Sequence, residues 1–136
     1  MRVVIDTNVL VSALITERGA CAKLLDAWTE QRFLLVTLGS QLDEIMAVTR
    51  RPTVRPLITP AAAGRFVNDL RTSAQMLTQL PMVERSSDPG DNFLLAMAEC
   101  GDADYLVTGD KRHVLALIRH GRTPIITVRQ MLDLLG

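Results

Sequence analysis

Residues 1–15, MRVVIDTNVLVSALI, decide how the rest of the chain is read. Val3, Val4 and Ile5 form an apolar run without alternation, the pattern of a strand covered on both faces. Asp6, Thr7 and Asn8 then interrupt the run, after which apolar residues resume. An ionised aspartate is almost never fully buried without a partner, because withdrawing it from water costs several kcal/mol or more. The triplet is therefore either a tight helix cap or one wall of a cation site.

Short β-branched runs alternate with longer helical patterns through the remaining sequence. Strands are expected at Arg2–Asp6, Phe33–Thr37, Met82–Arg85, Tyr105–Thr108 and Pro124–Thr127. Ser40-Gln-Leu-Asp fits a capping box for a helix ending at Arg50-Arg51-Pro52. Thr59-Pro60 opens a helix expected to reach about Gln79, and Asp88-Pro89 opens one that Gly101 stops. A further helix is expected after Asp110, ending near His120-Gly121, and Thr127/Gln130 caps the last. Such alternation predicts a three-layer α/β/α sandwich on a parallel sheet. At 136 residues, with 48% hydrophobic and 22% charged content, the chain reads as one globular domain spanning 1–136.

Fifteen basic and fifteen acidic residues cancel, so overall charge implies no nucleic-acid partner; any such partner rests on a local patch. Cys21 and Cys100 have no metal-ligand spacing and read as reduced core residues of a cytosolic protein. Asp6 interrupts the first apolar run with no small-residue cleavage site after it, and no stretch approaches the roughly eighteen apolar residues of a membrane span. Neither a secretory signal nor a membrane span is therefore expected, and the localisation expected is cytoplasmic.

Open α/β sheets bind ligands beyond the carboxyl ends of their strands. Asp6 closes the first strand and Asp110 follows the fourth after Gly109; Glu44 and Asp91 lie near the starts of helices leaving the same edge. Singly, Glu44 or Asp91 could serve only the helix dipole, and Asp110 could simply open a helix. Together, four converging carboxylates repel one another unless a divalent cation neutralises them. Hard oxygen ligands without Cys or His suit one or two Mg²⁺ or Mn²⁺ ions, which can clamp and hydrolyse a phosphodiester. Thr7, Asn8 and Thr108 would be donors that orient the carboxylates.

Ile5-Asp-Thr-Asn-Val-Leu10, Ser40-x-x-x-Glu44, Asp88-Pro-Gly-Asp-Asn92 and Tyr105-Leu-Val-Thr-Gly-Asp110 together resemble the PIN-domain family, and within it the VapC-like toxins of toxin–antitoxin pairs. The resemblance spans nearly the whole chain. It implies a five-stranded parallel sheet of order 3-2-1-4-5 and an acidic quartet at Asp6, Glu44, Asp91 and Asp110, with Asn8 and Thr108 beside it. It further implies Mg²⁺- or Mn²⁺-dependent cleavage of RNA, and neutralisation by a cognate antitoxin protein. Where many members carry another acid after the position of Asp110, this chain has Lys111-Arg112-His113.

Arg50, Arg51, Arg55, Lys111, Arg112 and His113 are the candidates for phosphate contacts, with Lys111 and Arg112 nearest the carboxylates in sequence. Aromatic residues are too few for a base-stacking platform. A haloacid-dehalogenase-type phosphatase needs an acid where Asn8 stands, and no glycine-rich nucleotide-cofactor motif occurs. A competing expectation is a PIN-like module that is catalytically weak and docks nucleic acid or a protein partner. The high apolar fraction further suggests a homodimer or a bound antitoxin helix.

Overall fold

The computed structural model describes residues 1–109 and 112–136, without the side chain of Arg112. Five strands run parallel at its centre: β1 (Arg2–Ile5), β2 (Leu34–Leu38), β3 (Gln75–Leu77), β4 (Tyr105–Thr108) and β6 (Thr123–Thr127). A two-residue strand, β5 (Arg119–His120), pairs antiparallel with β6, giving the order β3-β2-β1-β4-β6-β5. The expected 3-2-1-4-5 order of the parallel strands is thus present, with one short antiparallel strand added at the edge.

The unbroken apolar runs are explained by burial on both faces. Val3, Ile5, Leu35 and Val107 join one core with α1 (Thr7–Ile15), α2 (Ala20–Thr29), α3 (Gly39–Thr49), α4 (Pro60–Ser73) and α7 (Val128–Leu135). Val4, Val36 and Leu106, pointing the other way, join a second core under α5 (Pro89–Cys100). Val4 lies in register with both Val36 and Leu106, so this second core runs straight across three strands.

Several expected boundaries differ. Met82–Arg85 is not a strand: Met82 is 87% exposed, Pro81 has no N–H for a ladder, and β2's edge is already taken by Gln75–Leu77. The α4 helix accordingly stops at Ser73 rather than Gln79, because Ala74 turns extended (φ −86°, ψ 160°) to enter β3. α3 starts at Gly39 with Leu38 at its N-cap and no side-chain cap, so Ser40 does not form the expected box. The helix expected to run from Asp110 to His120 is only α6 (Arg112–Leu115). The chain then turns at Ile118 (φ 66°) and makes a hairpin whose two-residue turn begins at Gly121 (φ 57°). Cys100 is exposed and Cys21 partly buried, so neither is a core residue; both are free thiols. Among the described residues no helix is long and apolar enough to cross a membrane.

Candidate active site

The carboxyl ends of β1 and β4 lie side by side, with Ile5 in register with Val107. Asp6 leaves β1 there and is the N-cap of α1, its Oδ1 accepting from the backbone N–H of Asn8 (3.2 Å). Its other oxygen, Oδ2, accepts from the Thr108 hydroxyl at the end of β4 (3.0 Å). Asp6 is only 3% exposed and Thr108 is fully buried, so this carboxylate is gripped in one rotamer. The opening triplet is therefore a helix cap, and the same cap fixes an acid at the sheet edge; the two readings of the sequence are compatible.

Glu44 reaches this edge through Thr7, whose hydroxyl donates to Glu44 Oε2 (3.2 Å). Glu44 sits in the second turn of α3, and it is exposed. Behind it stands Gln41, which the sequence reading did not single out. Gln41 is completely buried; its Nε2 donates to the carbonyl of Ile5 (2.8 Å) and to Thr7 Oγ1 (3.3 Å), and its Oε1 accepts from Thr37 Oγ1 (2.6 Å). One amide thus ties the ends of β1 and β2 to the start of α3, which sets the helix start in place of a Ser40 cap. A glutamine three residues before the acid, in a segment otherwise apolar on that face, was the available signal.

Asp91 occupies the third position of α5, whose N-cap is Asp88 as expected (Oδ1 accepting from Gly90 N–H, 2.8 Å). α5 crosses back over the sheet, since its C-cap Gly101 leads to Asp104, which bonds Arg2 at the opposite, N-terminal edge. Its first turn therefore lies toward the carboxyl edge. Asp91 is 2% exposed, and Oδ2 accepts from the Ser86 hydroxyl (3.0 Å). Asn92 holds the preceding loop, accepting from the N–H groups of Arg85 and Ser86 and donating to the Ser86 carbonyl (3.0, 2.8 and 2.8 Å). Ser86 and Asn92 were likewise not anticipated as positioning residues.

Asp110 and Lys111 lie outside the described residues, as does the side chain of Arg112. Among the described residues no three Asp, Glu, His or Cys side chains form a group that could hold a metal ion. The structure brings Glu44 to the residue next to Asp6, while Asp91 stands on the helix across the sheet. The donor chemistry fits a hard cation: each of the three acids offers carboxylate oxygens, two of the carboxylates being buried and one exposed. Asn8 is exposed at the mouth of the site. Arg51 is exposed in the turn after α3, seven residues beyond Glu44. His113 is exposed, and His120 is engaged elsewhere, its Nε2 3.1 Å from Glu99 Oε1.

A mostly parallel sheet that carries buried carboxylates beyond its strand ends is the framework of a nuclease-like fold. The family model described as PIN domain matches residues 2–112, and the chain belongs to that family. PIN domains are generally metal-dependent nucleases that typically use Mg²⁺ or Mn²⁺. The chain is 29% identical to Uncharacterized protein MJ1680 of Methanocaldococcus jannaschii, over 82% of this chain and 72% of that protein. Its fold is similar to the crystal structure of PAE2754 from Pyrobaculum aerophilum: TM-score 0.66, 22% identity, covering 99% of this chain and 89% of the other.

Proposed function

We propose that the protein is a Mg²⁺- or Mn²⁺-dependent endoribonuclease, the toxin of a toxin–antitoxin pair, restrained by a cognate antitoxin and assembled as a homodimer in the cytoplasm. The observation that carries the nuclease reading is the grip on Asp6: a 3%-exposed carboxylate held by the Thr108 hydroxyl and the Asn8 N–H at a strand end. A carboxylate so placed has its orientation decided before any substrate arrives, which is what a preorganised site requires. Asp6, Glu44, Asp91 and Asp110 would hold the cation, which when bound supplies positive charge to a phosphodiester and acidifies water. Thr7 and Gln41 orient Glu44, and Ser86 orients Asp91. Lys111 and Arg112, next to Asp110 in the sequence, would supply positive charge for the substrate's phosphates.

The test uses purified full-length protein and labelled RNA, with Mn²⁺, with EDTA, and with Asp6→Asn. Cleavage is expected with Mn²⁺ alone, and both EDTA and the substitution abolish it. Cleavage that survives EDTA, or that Asp6→Asn performs at the wild-type rate, overturns the metal mechanism. Binding of RNA without cleavage under any of these conditions favours the docking-module reading instead. The toxin assignment is tested separately, by whether inducing the wild-type chain, but not Asp6→Asn, arrests bacterial growth.

A further inference from the structure

Beside the gripped aspartate lies an open cleft of about 430 Å³, between the start of α1, α2 and the N-terminal turn of α7. Its size is within the roughly 300–1,000 Å³ range of small-ligand sites. Thr108 and Asn8, which both hydrogen-bond Asp6, line it, so the cleft adjoins that carboxylate. Arg129, at the second position of α7, lines the same cleft. The rest of the lining is mixed: Val9 and Val128 offer apolar surface, and Ser12 adds a hydroxyl.

Arg129 is exposed and makes no hydrogen bond or ion pair among the described residues. It also borders a shallower depression containing Asp26 and Glu30, yet pairs with neither. Arg119, by comparison, belongs to a hairpin strand, and Arg122 is committed to Asp102 and Asp104. A guanidinium with no hydrogen bond among the described residues, in a cleft whose Thr108 and Asn8 hold Asp6, suits an anionic polymer, a phosphate of which it would pair. An apolar wall with polar edges suits the ribose and base between two phosphates.

We infer that this cleft seats the nucleotide next to the scissile phosphate of a single-stranded RNA, with Arg129 pairing to the adjoining phosphate. The inference rests on the nuclease reading above and adds to it a substrate-contact residue on α7 that the sequence did not point to. Cys21 lies in the wall of the same cleft and serves as a reporter, its thiol pushed up in pKa chiefly by burial.

The experiment has two arms, both in EDTA so that binding is read without cleavage, using the full chain and a fluorescein-labelled mixed-sequence single-stranded RNA. In the first, apparent Kd is measured by anisotropy across a salt series for wild type, Arg129→Ala, Arg129→Lys and, as a remote control, Arg71→Ala. Arg129→Ala is expected to bind several-fold more weakly, with a log–log salt slope shallower by about 0.7, the loss for one phosphate contact on a single strand. Arg129→Lys keeps the slope and Arg71→Ala changes nothing. In the second arm, carried out on Cys100→Ser to leave one thiol, RNA is expected to slow maleimide labelling of Cys21 several-fold. Unchanged slope in Arg129→Ala, or unchanged labelling of Cys21 with RNA bound, overturns the assignment while leaving the nuclease reading intact. Wild-type protein that binds no RNA here and cleaves none with Mn²⁺ overturns both.

Discussion

Replacing Gln41 with methionine keeps the volume of the side chain but removes its amide from the junction of β1, β2 and α3. Two short hydrogen bonds go with it, from Thr37 Oγ1 at 2.6 Å and to the Ile5 carbonyl at 2.8 Å, along with the longer one to Thr7. Thr37 is fully buried, so its hydroxyl is left without its acceptor in a place water does not reach. A stranded buried polar group costs about 1–3 kcal/mol, and an ordinary lost bond about 1 kcal/mol. The expected loss is therefore about 2–4 kcal/mol, or roughly 10 °C in Tm for a chain of this size. Urea unfolding with unchanged m-value is the assay. Adding Thr37→Val removes the stranded hydroxyl as well, so the double variant should recover about 1 kcal/mol. A single substitution costing under about 0.5 kcal/mol, or a double variant less stable than the single, would refute the claim that this amide holds the junction.

Thr108→Val removes the hydroxyl that fixes Asp6 and is expected to cost about 1 kcal/mol of stability while lowering Mn²⁺-dependent RNA cleavage at least tenfold; Thr108→Ser retains both, and a wild-type rate in the valine variant sinks the positioning role. At Gly101 an added Cβ would stand 2.7 Å from Val36 Cγ1 and 3.0 Å from the Met97 carbonyl, so Gly101→Ala is expected to cost about 1–3 kcal/mol in urea unfolding. Asp104 has its carboxyl held below the usual range, first by the backbone N–H of Arg2 and further by Arg122. A depressed folded-state value means the contribution is full above the unfolded carboxylate value of about 3.9 and disappears as pH falls through the lower folded value. Wild type should thus exceed Asp104→Asn in stability at neutral pH, with the gap closing below about pH 4; a gap that is constant with pH contradicts the assignment.

The parallel framework was legible because its strands announce themselves: Val3–Ile5, Leu35–Val36 and Tyr105–Thr108 are apolar on both faces, a pattern only a sandwiched sheet requires. β3 was not legible. Gln75-Met-Leu continues the helical periodicity of α4, and only the free edge of β2 decides that these residues pair instead. The β5 hairpin was hidden in the same way, since its two residues are fixed by Gly121 and by β6 rather than by their own pattern. At the site, Asp6, Asp88, Asp91 and Thr108 could be placed from local signals, a strand end or a cap. Gln41 could not, because it acts on a residue brought close only by the fold, Ile5, thirty-six positions away. Ser86 acts on Asp91 just five residues on, but through a loop shape that the Asn92 clamp sets and no local pattern announces.

The central claim is that carboxylates from separate elements share one divalent cation, and Mn²⁺ binding reads it without any RNA. Titrating the full-length chain with Mn²⁺ and following free ion by electron paramagnetic resonance should give saturable binding, weakened at least tenfold in Asp6→Asn and again in Asp91→Asn. Wild-type protein that leaves all Mn²⁺ free, or substituted chains that hold it as well as wild type, would contradict the account.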